Sequence, residues 1–286
     1  MNPVVVVAGT RPEHLKVAEV IRELRALGRP VRMVWTGQHT SPSLAADVFA
    51  ATDGPYPDVV LPWAPITAGR GRPTAMGPGK PPRSVWTAAL RSALAIEPHL
   101  VDAALVLVQG DTASALAGAR AARRVGGLPL AHLEAGLRSY DWTMPEEHVR
   151  VAIDAEADLL LCPSPLAAAT CRIERAALTA KRGRRGSARI AHVGQTGIDS
   201  LVRAAKADRD WPSFRAGIEA LFAADEGKWA LVTLHRAALT DDPKLLRSTV
   251  VQIAEACAEV GYRPVWATHP RVTRNPGHAK ALDAFT

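Results

Sequence analysis

The sequence predicts an α/β protein built on doubly wound parallel sheets, and three observations carry that expectation. Short apolar runs rich in β-branched residues alternate with amphipathic stretches of helical length, the pattern of strands buried on both faces. A chain of 286 residues, 48% of them hydrophobic, can bury a large core. Polar, glycine-bearing clusters follow directly after the apolar runs, where open α/β sheets bind their ligands.

Val4-Val5-Val6-Val7 reads as the first strand, and Pro12 suits the first turn of a helix over about 13–27. Val31–Trp35 is the second strand. Residues 62–84 are basic and rich in proline and glycine, a long irregular stretch of the kind that forms lids. Helices near 85–97, 113–124, 147–156 and 165–180 then alternate with strands at Ala104–Val108, Pro129–Leu133 and Leu159–Leu161. The glycine-broken basic run Lys181–Gly186 marks a boundary. The expected N-terminal Rossmann-like domain is therefore 1–185, with a second over 186–286. Strands at Ile190–Val193, Trp229–Leu234 and Pro264–Ala267 fit in the second, with helices near 212–224 and 243–260. Three strands make it a partial domain.

Lys plus Arg outnumber Asp plus Glu by 35 to 28, which favours an anionic partner such as a phosphate, a nucleotide or nucleic acid. No motif supports nucleic acid over the others. No apolar run approaches a membrane span, and no signal-peptide pattern precedes Val4. The three cysteines form no C-x-x-C pair and read as free thiols, Cys162 and Cys257 in the core. The expectation is a soluble cytoplasmic protein. Metal-ligand spacing and the G-x-S-x-G nucleophile elbow are both missing, so no metal or cofactor is expected.

The candidate chemistry sits at strand ends. Gly9-Thr10-Arg11-Pro12-Glu13 brings a helix N-terminus and the Arg11 fork towards a phosphate, with Lys16 one turn on. Thr36-Gly37-Gln38-His39 ends the second strand. Gly110 precedes Asp111, Glu134 follows a buried strand, and Glu146 and Glu147 open a helix that carries Arg150. Asp111, Glu134 and Glu146 are three carboxylates expected to converge on one cleft, where crowding separates acid from base. Each also has a structural reading, as a helix cap or a first-turn charge. His235-Arg236 and His269, at strand ends of the second half, fit a phosphate or leaving group.

Several motifs, taken in order, resemble a known family. They are Gly9–Glu13, Thr36–His39, Gly110-Asp111-Thr112, His132-Leu133-Glu134-Ala135-Gly136-Leu137-Arg138-Ser139, Met144-Pro145-Glu146-Glu147, Gly194-Gln195-Thr196-Gly197-Ile198-Asp199 and Val232–Arg236. Together they are similar to the non-hydrolysing UDP-N-acetylglucosamine 2-epimerases, which share the two-domain glycosyltransferase-B-like architecture. The resemblance implies removal of the proton at sugar C2, departure of UDP from C1, a bound glycal, and re-addition with reprotonation on the other face. Asp111, Glu134 and Glu146 would be the acid–base carboxylates. Arg11, Lys16 and His235 would support the departing diphosphate. Gln38, His39, Arg138, Glu147, Arg150, Arg236 and His269 would complete the substrate contacts. Some positions depart from the family: Val149 stands where Asn is usual, and Ala237-Ala238 where Arg and Glu are. The family also continues past Thr286 into a Ser-Gly-Gly turn and a Glu that grips the uridine diphosphate, so a shortened second domain is expected. Its uncovered strand edge calls for a homodimer or a separate partner chain. A glycosyltransferase-like or sugar-nucleotide-binding protein on the same scaffold is the alternative.

Overall fold

The structure is a computed structural model, and it describes residues 1–38, 49, 54–62, 83–182, 188–206, 228–234, 236–268 and 272. The chain divides into two units, Met1–Ala207 and Asp208–Thr286.

Unit 1 is a seven-stranded parallel sheet in the order β3-β2-β1-β4-β5-β6-β7. Its strands are β1 (Val4–Ala8), β2 (Val31–Trp35), β3 (Val59–Val60), β4 (Leu105–Gln109), β5 (Leu130–Leu133), β6 (Leu159–Cys162) and β7 (Arg189–His192). The helices between them are α1 (Arg11–Ala26), α2 (Arg83–Ile96), α3 (Ala113–Arg124), α4 (Pro145–Glu156), α5 (Pro165–Arg182) and α6 (Thr196–Lys206). Alternate residues of β1 feed two cores. Val5 and Val7 pack with Leu116 and Ile153 on one face, Val6 and Ala8 with Val17, Ile21 and Met33 on the other. Val5 to Ala8 are all fully buried, which is why the strand reads as a continuous apolar run rather than an alternating one.

The strand order reverses between β1 and β4, which both pair with their neighbours in parallel register from Val4. A crevice opens beyond the carboxyl ends of strands at such a reversal. Two glycines shape it. A Cβ on Gly9 would fall 1.9 Å from Thr36 Oγ1 and 2.3 Å from Ser114 Oγ, so only glycine lets β1 leave the sheet between those hydroxyls. Gly110 turns at φ +71° directly after β4, in the left-handed region that costs glycine little.

The N-terminal elements fall where the apolar pattern puts them, within about two residues. The boundary differs. The strand expected to open the second domain is β7, which pairs with β6 from Leu159↔Arg189 to Cys162↔His192. The helix after it, α6, lies on α1, where Arg203 Nε is 2.8 Å from both oxygens of Glu19 and the Ser200 hydroxyl donates to the Leu15 carbonyl. The division therefore falls after Ala207. A boundary at 185/186 rests on the local break in the basic run, whereas strand pairing beyond it decides the domain. β3 and α6 were not anticipated from the sequence: one is two residues long, and the other begins Thr-Gly, a weak helix start.

Among the described residues, unit 2 holds one βαβ motif. β8 (Lys228–Val232) pairs in parallel with β9 (Tyr262–Trp266) through α7 (Pro243–Glu259), whose N-cap Asp242 accepts from the backbone N–H of Lys244 and Leu245. Leu246, Val250 and Val272 form its buried core. The expected helix near 212–224 and most of the 62–84 stretch lie outside the described residues. Cys162 and Cys171 are buried free thiols, while Cys257, expected in the core, is only half-buried. No helix among the described residues is long and apolar enough to cross a membrane.

Candidate active site

The crevice is framed by two helix N-termini joined through one buried carboxyl. Thr10 caps α1, and Glu13, at the third position of that helix, closes a reciprocal capping box. Glu13 Oε2 accepts from the Gly9 N–H at 2.8 Å and the Thr10 N–H at 2.7 Å. Its other oxygen accepts from the hydroxyl of Thr112, the cap of α3. One side chain thus ties the β1–α1 loop to the β4–α3 loop. Burial pushes the Glu13 pKa from 4.5 up to about 7, against the pull of Thr112, Gly9 and Thr10. Gln38, from the end of β2, takes the Ser114 N–H and hydroxyl on its carbonyl oxygen at 3.0 and 2.7 Å.

Glu134 stands straight after β5 with φ +70°, a conformation uncommon for a residue with a side chain. Three donors from three elements meet on its carboxylate. Lys16 Nζ of α1 is 2.6 Å from Oε2, the Gln109 amide at the end of β4 donates to the same oxygen, and the Gln195 amide donates to Oε1 at 2.9 Å. The carboxyl also lies against the neighbouring strand end, since a Cβ on Gly110 would sit 3.6 Å from Oε2.

Asp111 and Glu146 line one cleft of about 340 Å³ with Thr10, Pro12, Gln38, Val85, Thr112, Ala113, Pro145 and Val149. Asp111 is paired with Arg150, one turn along α4 from Glu146. Arg150 also reaches Glu147 Oε2 at 2.8 Å. Glu146 is exposed and, among the described residues, carries no paired cation. Of its two carboxylates, Asp111 is anchored by Arg150 and Glu146 is not.

Two residues expected to contact substrate are also held by internal bonds. Glu147 is fully buried and accepts from the Ser139 N–H (2.9 Å), the Ser139 hydroxyl (3.0 Å) and the Tyr140 N–H (3.1 Å). Burial would raise its pKa, but those N–H groups and Arg150 hold it below the ordinary carboxylate range. Arg138, its side chain 2% exposed, pairs with Asp154 at 2.7 Å and with Glu174. Asp154 also accepts from the Gly136 N–H at 3.0 Å and lies 2.6 Å from His132 Nδ1. The opposite nitrogen of His132 donates to the Gly110 carbonyl at 2.8 Å. A carbonyl can only accept, and so can an ionised Asp154, so each nitrogen of His132 faces an acceptor. Asp154 is thus a buried hub that braces the turn before Asp111 and the loop after Glu134.

The structure therefore brings Asp111, Glu146 and Gln38 to one cleft, and sets Lys16 on Glu134 beside it. Arg11 is exposed at the first position of α1, and Arg236 is exposed just after β8 in unit 2. His39, His235 and His269 lie outside the described residues. Sequence reading missed Glu13, Gln109, Gln195 and the His132–Asp154 pair as parts of the site. Glu13, His132 and Gln195 each stood inside a motif read for its neighbours. Gln109 carried the available signal: a polar residue ending an otherwise apolar strand. Among the described residues no group of three or more His, Cys, Asp or Glu is placed to hold a metal.

The UDP-N-acetylglucosamine 2-epimerase family model matches residues 22–283. The UDP-2,3-diacetamido-2,3-dideoxy-D-glucuronate 2-epimerase of Pseudomonas aeruginosa is 33% identical over 272 residues, covering 94% of this chain and 67% of that protein. The UDP-N-acetylglucosamine 2-epimerase of Methanococcus maripaludis is 30% identical over 273 residues, covering 95% of this chain and 66% of that protein. The crystal structure of the Methanocaldococcus jannaschii UDP-GlcNAc 2-epimerase with UDP-GlcNAc and UDP superposes with a TM-score of 0.69 at 27% identity, covering 99% of this chain and 68% of that one. The chain spans about two thirds of the length of these relatives. With the family model matching most of the chain, the chain belongs to the UDP-N-acetylglucosamine 2-epimerase family.

Proposed function

We propose that this protein epimerises a UDP-sugar at C2, interconverting UDP-GlcNAc and UDP-ManNAc. The observation that carries the reading is the meeting of Asp111 and Glu146 in one cleft, with Glu134 at the neighbouring strand end, in a member of this family. One carboxylate removes the C2 proton while the C1–O bond breaks, and that bond's electrons leave with UDP. The product pair is a glycal and UDP. UDP then adds back at C1 as a second carboxylic acid delivers a proton to the opposite face of C2. Carboxylates with different surroundings suit this division: Asp111 is held against Arg150, whereas Glu146 is exposed.

The leaving group needs cations. One N–H of the Lys16 ammonium goes to Glu134, which leaves two for diphosphate oxygens. Arg11 at the head of α1 is proposed for a further diphosphate contact. Arg150 acts by placing Asp111. No cofactor is needed for the scheme.

In deuterated buffer, the purified protein is expected to put deuterium at C2 of UDP-GlcNAc and to form UDP-ManNAc, both followed by NMR. UDP-2,3-diacetamido-2,3-dideoxy-D-glucuronate runs in parallel, because the Pseudomonas relative is named for that sugar. If neither sugar exchanges its C2 proton, the epimerase reading is wrong. We further propose a cytoplasmic homodimer. Its support is the free thiols and the exposure of Leu231 on the two-stranded sheet of unit 2. Light scattering should return twice the chain mass, and a monomer at micromolar concentration rejects the dimer.

A further inference from the structure

We infer that Gln195 is a positioning residue for the reaction, fixing the Glu134 oxygen that Lys16 and Gln109 leave free. Lys16 and Gln109 both act on Oε2. Two donors on one oxygen let a carboxyl group pivot about that atom. Gln195 donates to Oε1 at 2.9 Å and removes the pivot. A proton-transferring carboxylate must present one lone pair along a fixed line to C2, so orientation enters the rate directly.

The support for Gln195 is itself rigid. It lies between β7, paired along its length with β6, and α6, seated on α1. Its own carbonyl accepts the Ile198 N–H at 2.9 Å, which closes the first turn of α6. The turn also lies against Lys16: a Cβ on Gly197 would sit at ordinary contact distance, 3.6 Å, from the Lys16 stem. The Gly194–Gly197 segment thus packs around the Lys16–Glu134 pair, although β7 is two strands away from β5. Gln195 carries no charge and does not titrate. It acts through Glu134, not on the sugar.

The inference rests on the epimerase reading, and the test separates the two. Gln195→Leu keeps the size and loses the donor. Its kcat for C2 deuterium exchange should fall about tenfold or more, with KM changed less than about twofold. The activity-free readout is carboxyl NMR of 13C-glutamate-labelled protein, with the Glu134 signal identified by its loss in Glu134→Gln. That signal should move or broaden in Gln195→Leu, because one carboxylate oxygen has lost its donor. Wild-type protein that exchanges no C2 proton defeats the epimerase reading, and the NMR signal alone then judges Gln195. An unmoved Glu134 signal, or activity lost only in proportion to a lower melting temperature, overturns the inference.

Discussion

Glu13 shows how one buried side chain can set a pH dependence without touching substrate. It is 1% exposed, and burial raises its pKa from 4.5 to about 7. Between those two values the folded protein keeps a proton that the unfolded chain has released. Stability on this account falls as pH rises across the window and is level above it. A shift of that size corresponds to about 3 kcal/mol. Glu13→Gln preserves the amide-accepting oxygen and can donate to Thr112, so the loops stay joined while the titration disappears. Urea denaturation from pH 4.5 to 7.5 should show wild type losing about 3 kcal/mol relative to Glu13→Gln as pH rises; parallel curves would refute the assignment. The residue was legible as part of a Gly-Thr-Arg-Pro-Glu motif, but its role was not. Only the fold reveals that Thr112, 99 positions away, is its partner.

Among the elements, the segment from Leu137 to Met144 is pinned by hydrogen bonds to Glu147. It leaves Glu134, passes through Tyr140 at φ +56° and enters α4 at Pro145. A bulky residue in that region costs about 1–3 kcal/mol and persists only where its surroundings enforce it. Glu147 supplies the enforcement, through the N–H groups of Ser139 and Tyr140. Glu147→Ala would leave those donors unmet and free Arg150 from one of its two carboxylates. A loss of about 3 kcal/mol is expected in denaturation, with a fall in activity through displaced Asp111. A stable variant with only a raised KM would instead return Glu147 to substrate contact. The acidic pair before α4 was readable as a helix start and as a site, yet sequence could not separate exposed Glu146 from buried Glu147. Helical rotation between adjacent residues sends them to opposite environments.

For the whole molecule, the alternation of apolar runs and amphipathic stretches was sufficient to read a parallel α/β architecture. Strands buried on both faces carry their signature locally, in Val4–Val7 or Leu105–Val108. Strand pairing is not local. Nothing near Arg189 says that it lies beside Leu159, so a basic, glycine-broken run was read as a domain boundary. The triple grip on Glu134 has a related consequence. Its three donors sit at positions 16, 109 and 195, almost spanning unit 1. A gene cut at the basic run would still encode Asp111, Glu134 and Glu146. It would nonetheless deliver β6 as a bare edge and the central carboxylate with one hand missing. The smallest autonomous piece of this site is set by where its last hydrogen-bond donor lies in the chain, not by where its last acid does.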